Sequence, residues 1–233
     1  MNYVLLLAGG SGQRMGGDIP KQFIEVDGRP IIMHTLMTLE SHPLVDAVQI
    51  VCLPDWIDEL NSRLAQFPVT KLRGVTAGRE NRYLSTRAGM DALKNADDND
   101  VIVVHDSVRP LVTAESLSSV IEVCRAKGNS MATVPCNDTM YERTEADCSA
   151  RTVNRDKLVC GQTPEAVTGK RMREMYRLAD ERQIFSDSIS ALQLALGWKI
   201  HFAQGSSQNI KITRPEDLLI FKAIYNLRRE AKD

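Results

Sequence analysis

Hydrophobic residues fall along this chain in two rhythms. Short unbroken apolar runs at residues 3–8 (YVLLLA), 48–53 (VQIVCL), 101–105 (VIVVH) and 130–134 read as strands buried on both faces, the pattern of a parallel sheet. Between them apolar positions recur at helical spacing. Ile57, Leu60 and Leu64 share one face, with Asp55 placed to cap it. Leu117, Val120, Ile121 and Cys124 share another, with Thr113 as the N-cap. Helices are also expected over residues 172–179 and 188–196, and a strand over 199–203. The last helix opens at residues 213–216 (TRPE), read as a capping box with proline in its first turn, and runs through Ile220, Ile224 and Leu227. Strands alternating with helices through short connections predict an α/β fold, a mostly parallel twisted sheet with helices on both faces.

Residues 137–158 break both rhythms. The stretch is polar, and its Thr-Met-Tyr and Arg-Thr-Val segments suggest two short exposed strands. A structureless loop of that length is uncommon inside a compact domain, so a protruding β-arm is favoured over a solvated loop. The chain is therefore read as one domain, 1–233, carrying this arm.

Charge narrows the function. With 29 basic against 30 acidic residues the net charge is -1, which argues against a general nucleic-acid or membrane-surface binder. Any anion site must then be a local cluster of cations. The five cysteines are odd in number and lack C-x-x-C spacing, so they read as free thiols of a reducing compartment. Neither a signal-peptide pattern nor a membrane-length apolar run is seen, and a cytoplasmic location is expected.

Directly after the first strand, residues 8–23 read AGGSGQRMGGDIPKQF. The carboxyl end of a strand is where open parallel sheets bind ligands. Gly9, Gly10 and Gly12 let backbone N–H groups approach an anion closely. The dinucleotide fingerprint fails because Met15 stands at its third glycine, and the P-loop fails because Lys21 lies between Pro20 and Gln22. What remains is a glycine loop bearing Arg14 and Lys21. It is read as a triphosphate clamp, with Pro20 fixing the backbone before Lys21, over the plainer alternative of a solvated loop.

The pattern G-x-G-x-R-M-x-x-x-x-P-K-Q-F resembles the 2-C-methyl-D-erythritol 4-phosphate cytidylyltransferase family, whose superfamily includes the ribitol-5-phosphate cytidylyltransferases. Further signatures follow in order. Val104-His105-Asp106-Ser107-Val108-Arg109-Pro110 is similar to V-H-D-x-x-R-P, and Asp138-Thr139 to the D-T of the family's arm. Arg155 with Gln162-Thr163-Pro164 is similar to R…Q-T-P, and Asn209-Ile210-Lys211-Ile212-Thr213 with Pro215-Glu216-Asp217 to N-I-K-x-T-x-P-E-D. The resemblance implies a single Rossmann-like nucleotidyltransferase domain. It also implies a homodimer in which the arm of one subunit reaches the partner's active site. The implied activity moves CMP from CTP onto a polyol phosphate and releases pyrophosphate.

In that reaction two anions meet, so catalysis rests on positioning and charge neutralisation. Arg14 and Lys21 match the family residues that stabilise the transition state, and Lys211 matches a third active-site lysine. Leu7, Ala8, Gly9, Gly10, Gly12 and Gln13 are expected to cradle the nucleotide, and Gly78, Ser85 and Asp106 to complete the CTP site, Ser85 against the base. The chain departs from the family at Arg79, which stands where the second glycine of G-G-x-x-R-x-x-S is usual, and this touches pyrimidine selection. Asp106 is read either as a ligand of Mg²⁺, or another divalent cation, or as the residue that orients Arg109. Arg109 and Arg155 are candidates to hold the second substrate's phosphate bidentately. Thr139, Thr163 and Ser186 match the hydroxyl positions of that pocket, Ser186 standing where threonine is more usual. Thr139 and Arg155 lie on or beside the arm and are expected to serve the neighbouring subunit. His105 is read as a packed strand-end histidine, because a phosphate monoester needs no base.

Val108 and residues 52–56 and 212–221 look more like the pentitol-phosphate and capsule-type branch. D-ribitol 5-phosphate, giving CDP-ribitol, is therefore the favoured acceptor, with 2-C-methyl-D-erythritol 4-phosphate of the non-mevalonate isoprenoid route as the alternative. An NAD-dependent oxidoreductase would need an acidic residue at the end of the second strand, which instead ends Cys52-Leu53-Pro54. A non-catalytic nucleotide-binding protein on the same fold is opposed by Arg14, Lys21 and Lys211.

Overall fold

A computed structural model describes residues 1–10 and 19–230. The chain begins with β1 (Asn2–Ala8), a small hairpin of β2 (Glu25–Val26) and β3 (Arg29–Pro30), α1 (Ile31–Ser41), β4 (Ala47–Cys52), α2 (Ile57–Leu64) and β5 (Leu72–Ala77). Next come α3 (Arg82–Ala92), β6 (Val101–Asp106), α4 (Ala114–Lys127), β7 (Asn129–Pro135), and the arm strands β8 (Met140–Glu142) and β9 (Arg151–Val153). The chain closes with β10 (Val159–Thr168), α5 (Gly169–Arg182), α6 (Ile189–Ala195), β11 (Phe202–Gln204) and α7 (Pro215–Glu230).

Seven strands form the central sheet in the order β11-β7-β10-β6-β1-β4-β5. Every neighbouring pair is parallel except those of β10, which runs antiparallel to β7 and β6. β10 went unmarked in the hydrophobic pattern. It reverses because the chain leaves β7, makes the arm and returns directly, and a hairpin return without a crossover must be antiparallel. Alternation along β1 divides the core. Val4 and Leu6 face Leu36, Leu60 and Val120 on one side, while Leu5 and Leu7 face Tyr83, Met90 and Met175 on the other. Gly89 lets α3 lie close on the sheet, since a Cβ there would collide with Leu5 and Val51.

The expected mostly parallel sheet with helices on both faces is what the chain forms, and the arm is an exposed two-stranded hairpin, β8 against β9. Thr113 caps α4, its hydroxyl accepting from the Ser116 N–H at 3.2 Å. Three local expectations need correction. Asp55 does not cap α2; it lies in a 3₁₀ turn, Pro54–Trp56, that leads into the helix. At α7 it is Asp217, not Glu216, that reaches back, accepting from the N–H groups of Thr213 and Arg214 at 2.7 and 2.8 Å. The strand expected at 199–203 shrinks to β11, because the Lys199 carbonyl accepts instead from the side-chain amide of Asn129. α1 escaped the periodicity because it is apolar on nearly all sides, with Ile31, Ile32, Met33, Leu36 and Leu39 all buried.

Candidate active site

β1 has β6 on one side and β4 on the other, and its connection leads to β4 while β6 is added later across it. Such a switch in strand order opens a crevice at the carboxyl ends of the strands. A cleft of ≈ 330 Å³ lies there, lined by Leu7, Ala8, Gly9 and Gly10 from the end of β1, by Asp106 from the end of β6, and by Lys21 and Lys211. Arg79, Arg82 and Ser85 form the wall beyond β5. Arg14, Gly12 and Gln13 lie outside the described residues.

Asp106 is the electrostatic hub. Its buried carboxylate accepts from Arg82 Nη1 at 2.6 Å and meets Lys211 Nζ at 3.0 Å, with a longer contact to Arg109 Nε at 3.4 Å. Burial alone would raise the pKa of this acid. The charges of Arg82, Lys211 and Arg109 outweigh that penalty and hold it well below the usual carboxylate range. Three cations around one carboxylate leave a positive excess, and Lys21 lines the same cleft; this is the field an anionic ligand needs.

Several contacts fix these groups in place. Thr163, carried toward β6 by a register shift in β10 between Gln162 and Glu165, accepts the Asp106 N–H at 3.1 Å. Asn209 donates to the Thr163 carbonyl at 2.8 Å, and Ile212 N–H donates to Val108 O at 2.9 Å, so the segment bearing Lys211 is laid along the end of β6. Gln22, next to Lys21, donates to the carbonyls of Ala8 and Gly10 at 2.8 and 3.0 Å and ties the far end of the glycine loop to β1.

Other expected residues sit differently. Arg109 is mostly buried, donating to Asn209 O at 2.7 Å, and supports Asp106 from beneath instead of lining the cleft. Gly78 is buried behind the wall, its N–H donating to Cys52 O at 2.7 Å. The Ser85 hydroxyl accepts from the Arg79 N–H at 2.8 Å and so shapes the β5–α3 turn. Ser186 is half-buried just before α6, beside Asp187, whose carbonyl accepts from Arg82 Nε at 2.7 Å. Thr139 and Arg155 are exposed at the arm and are not among the cleft's lining residues in their own chain. Arg155 donates to Asn137 O at 2.7 Å. The contributions of Arg82, Gln22 and Asn209 were missed in the sequence, although each lies inside a motif quoted above.

Among the described residues, His105 and Cys52 are poorly suited to acid–base or thiolate chemistry. His105 is fully buried, and burial pushes it down to about 4, so it is neutral near pH 7. Cys52, at the end of β4, is pushed up to about 11 by burial and stays a thiol. Among the described residues no group of three or more His, Cys, Asp or Glu side chains is arranged to hold a metal ion. Asp106 is a hard oxygen donor kept ionised at the cleft floor, and one carboxylate completed by substrate phosphates and water suits Mg²⁺. The donor set fits on that basis, provided arriving phosphates draw the cations off the carboxylate.

Comparison with known proteins follows the same line. Residues 2–227 match the family described as IspD, 2-C-methyl-D-erythritol 4-phosphate cytidylyltransferase. A ribitol-5-phosphate cytidylyltransferase of Lacticaseibacillus paracasei is 34% identical over 223 residues, covering 94% of this chain and 95% of that protein. A 2-C-methyl-D-erythritol 4-phosphate cytidylyltransferase of Geotalea uraniireducens is also 34% identical, over 220 residues, covering 94% of each. The crystal structure of 4-diphosphocytidyl-2C-methyl-D-erythritol synthase from Anaerococcus prevotii superposes with a TM-score of 0.81 at 26% identity, covering 97% of this chain and 96% of that one.

Proposed function

The chain belongs to the 2-C-methyl-D-erythritol 4-phosphate cytidylyltransferase family, and from that membership we propose that it transfers CMP from CTP to a pentitol phosphate such as D-ribitol 5-phosphate, giving CDP-ribitol and pyrophosphate. It is a CTP-dependent cytidylyltransferase. The pentitol assignment rests on the residues of the capsule-type branch and on relatives named for ribitol 5-phosphate. Relatives named for 2-C-methyl-D-erythritol 4-phosphate match equally closely, which keeps that acceptor as the second reading.

In the reaction a phosphate oxygen of the acceptor forms a bond to the α-phosphorus of CTP while the bond from that phosphorus to the β-phosphate bridging oxygen breaks. The electron pair leaves with pyrophosphate. Charge builds on the α-phosphoryl oxygens, and the positive groups that line the cleft, namely Lys21 with Arg82 and Lys211 at Asp106, are the ones proposed to neutralise it. That cluster at the carboxyl ends of β1 and β6 is the observation that carries the reading. Arg14 is proposed to join it from the glycine loop. Asp106 is the residue that would hold a magnesium ion, whose chemistry there is to neutralise and polarise phosphoryl oxygens.

The acceptor is proposed to lie between Thr163 and Ser186 on one side and the partner's arm on the other. Thr139 and Arg155 point the role of the arm outward, toward a second copy of the chain, so a homodimer with exchanged arms completes each site. None of the five cysteines forms a disulfide, which suits the reducing cytoplasm.

The test is pyrophosphate release with CTP, Mg²⁺ and a panel of 2-C-methyl-D-erythritol 4-phosphate, ribitol 5-phosphate, xylulose 5-phosphate and glycerol 3-phosphate. Turnover of ribitol 5-phosphate is expected, with little activity from UTP or ATP. Turnover of glycerol 3-phosphate alone would overturn the acceptor assignment.

A further inference from the structure

Arg79 lines the nucleotide cleft, and among the described residues its guanidinium makes neither an ion pair nor a hydrogen bond. It differs in this from Arg82 and Lys211, which are both engaged with Asp106. Its backbone is held on both sides. The Arg79 N–H donates to Ser85 Oγ at 2.8 Å, and the Ser85 hydroxyl donates back to Arg79 O at 3.2 Å. Arg79 is not among the residues with positive φ, so nothing in the backbone calls for glycine there. A stapled turn thus presents a planar cation with no partner among the described residues.

Position decides what that cation meets. The cleft runs across the sheet from β6, over β1, toward β4 and β5. Asp106 and its cations stand at the β6 end, where phosphates belong. Arg79 follows β5, three strand intervals away, or about 14 Å at the usual spacing between neighbouring strands. A nucleotide whose triphosphate lies over β1 and β6 extends its base toward β5. Gly9 and Gly10 line the same cleft without side chains, and a Cβ on Gly9 would sit 3.6 Å from Ser85 Oγ, in ordinary contact with the residue that staples the Arg79 turn.

Building on the CTP reading above, we propose that Arg79 is a nucleobase-binding residue whose guanidinium stacks on the pyrimidine ring and adds affinity for the nucleoside half of CTP. Arginine suits this role because its delocalised plane covers a ring face, which a lysine ammonium does not.

The experiment compares wild type, Arg79→Gly and Arg79→Lys. Competition binding is measured with CMP and with inorganic tripolyphosphate, alongside steady-state kinetics with CTP. Arg79→Gly should weaken CMP binding and raise the KM for CTP by roughly five- to tenfold. Its kcat should stay within about twofold and its tripolyphosphate affinity should not change, because the phosphate end is untouched. Arg79→Lys should be as impaired as Arg79→Gly, and matching thermal melts show that both fold. Unchanged CMP binding, full rescue by lysine, or an equal loss of tripolyphosphate affinity would each overturn the assignment, the last two by placing Arg79 on phosphate. If the wild type bound CMP but released no pyrophosphate with any polyol phosphate, the proposed transfer reaction would fall while the binding comparison still judged Arg79.

Discussion

The guanidinium of Arg82 bridges Asp106 Oδ1, at 2.6 Å, and the carbonyl oxygen of Asp187, at 2.7 Å. One side chain at the start of α3 thereby joins the floor of the nucleotide cleft to the loop that carries Ser186. The proposed subsites for CTP and the acceptor lie on opposite sides of this bridge, and the charge state of Asp106 decides whether it holds.

Asp106→Asn keeps the shape of the side chain and removes the charge that three cations share. Asp106 has a depressed pKa in the folded state. Its stabilising contribution is therefore present above the unfolded value of about 4 and is lost as pH falls through the lower folded value. The variant should be about 3 kcal/mol less stable than wild type at pH 7, and the gap should narrow in acid. Urea unfolding at pH 7 and pH 3 measures this. Equal stability at pH 7 would show that the hub does not hold the cleft together.

Lys21→Ala removes a cleft cation that follows Pro20 and begins the short turn Lys21–Phe23. Turnover should fall by at least ~100-fold, as for loss of one group that neutralises charge in a transition state. The fold should persist in a thermal melt, since Gln22 anchors the turn to Ala8. Near-normal kcat would remove Lys21 from the mechanism.

His105→Asn tests the absence of a general base. His105 is already neutral through the working range because burial pushes it down to about 4. The pH dependence of kcat/KM should follow the second ionisation of the acceptor phosphate, near a pKa of about 6, in both proteins. A limb that disappears in the variant would assign the proton transfer to His105.

Glu165→Gln addresses a carboxyl group that accepts the Ser190 N–H at 3.0 Å while its other oxygen is buried with no hydrogen-bond partner among the described residues. Burial raises its pKa, so the native state resists ionising it. Its relative contribution is best below the unfolded pKa of about 4.3 and worsens as pH rises toward the folded value. Glutamine keeps an acceptor for Ser190 and cannot ionise. The variant should melt a few degrees higher at pH 8 and alike at pH 4, by circular dichroism, in line with the roughly 2–4 °C expected per kcal/mol for a chain of this size. A lower melting point at pH 8 would mean that the charged form is stabilised.

The chain's local chemistry was readable before folding. Unbroken runs such as that of β1 mark buried strands because period and burial are local properties, and the order of motifs from Gly10 to Asp217 marks the family. Thr113 could be named as a cap because an N-cap needs only its next three residues. What the tertiary structure alone decided were the partners of charged groups. Arg109, expected at the phosphate, lies beneath Asp106, while Arg82, passed over as part of a motif, holds it. The same holds for the reversed β10 and for the Arg79 guanidinium, which has no partner among the described residues. The reason is that hydrophobic periodicity is written between neighbours a few residues apart. The field at Asp106 depends on distances of a few ångströms between segments far apart in the chain, and only the packed sheet sets those distances.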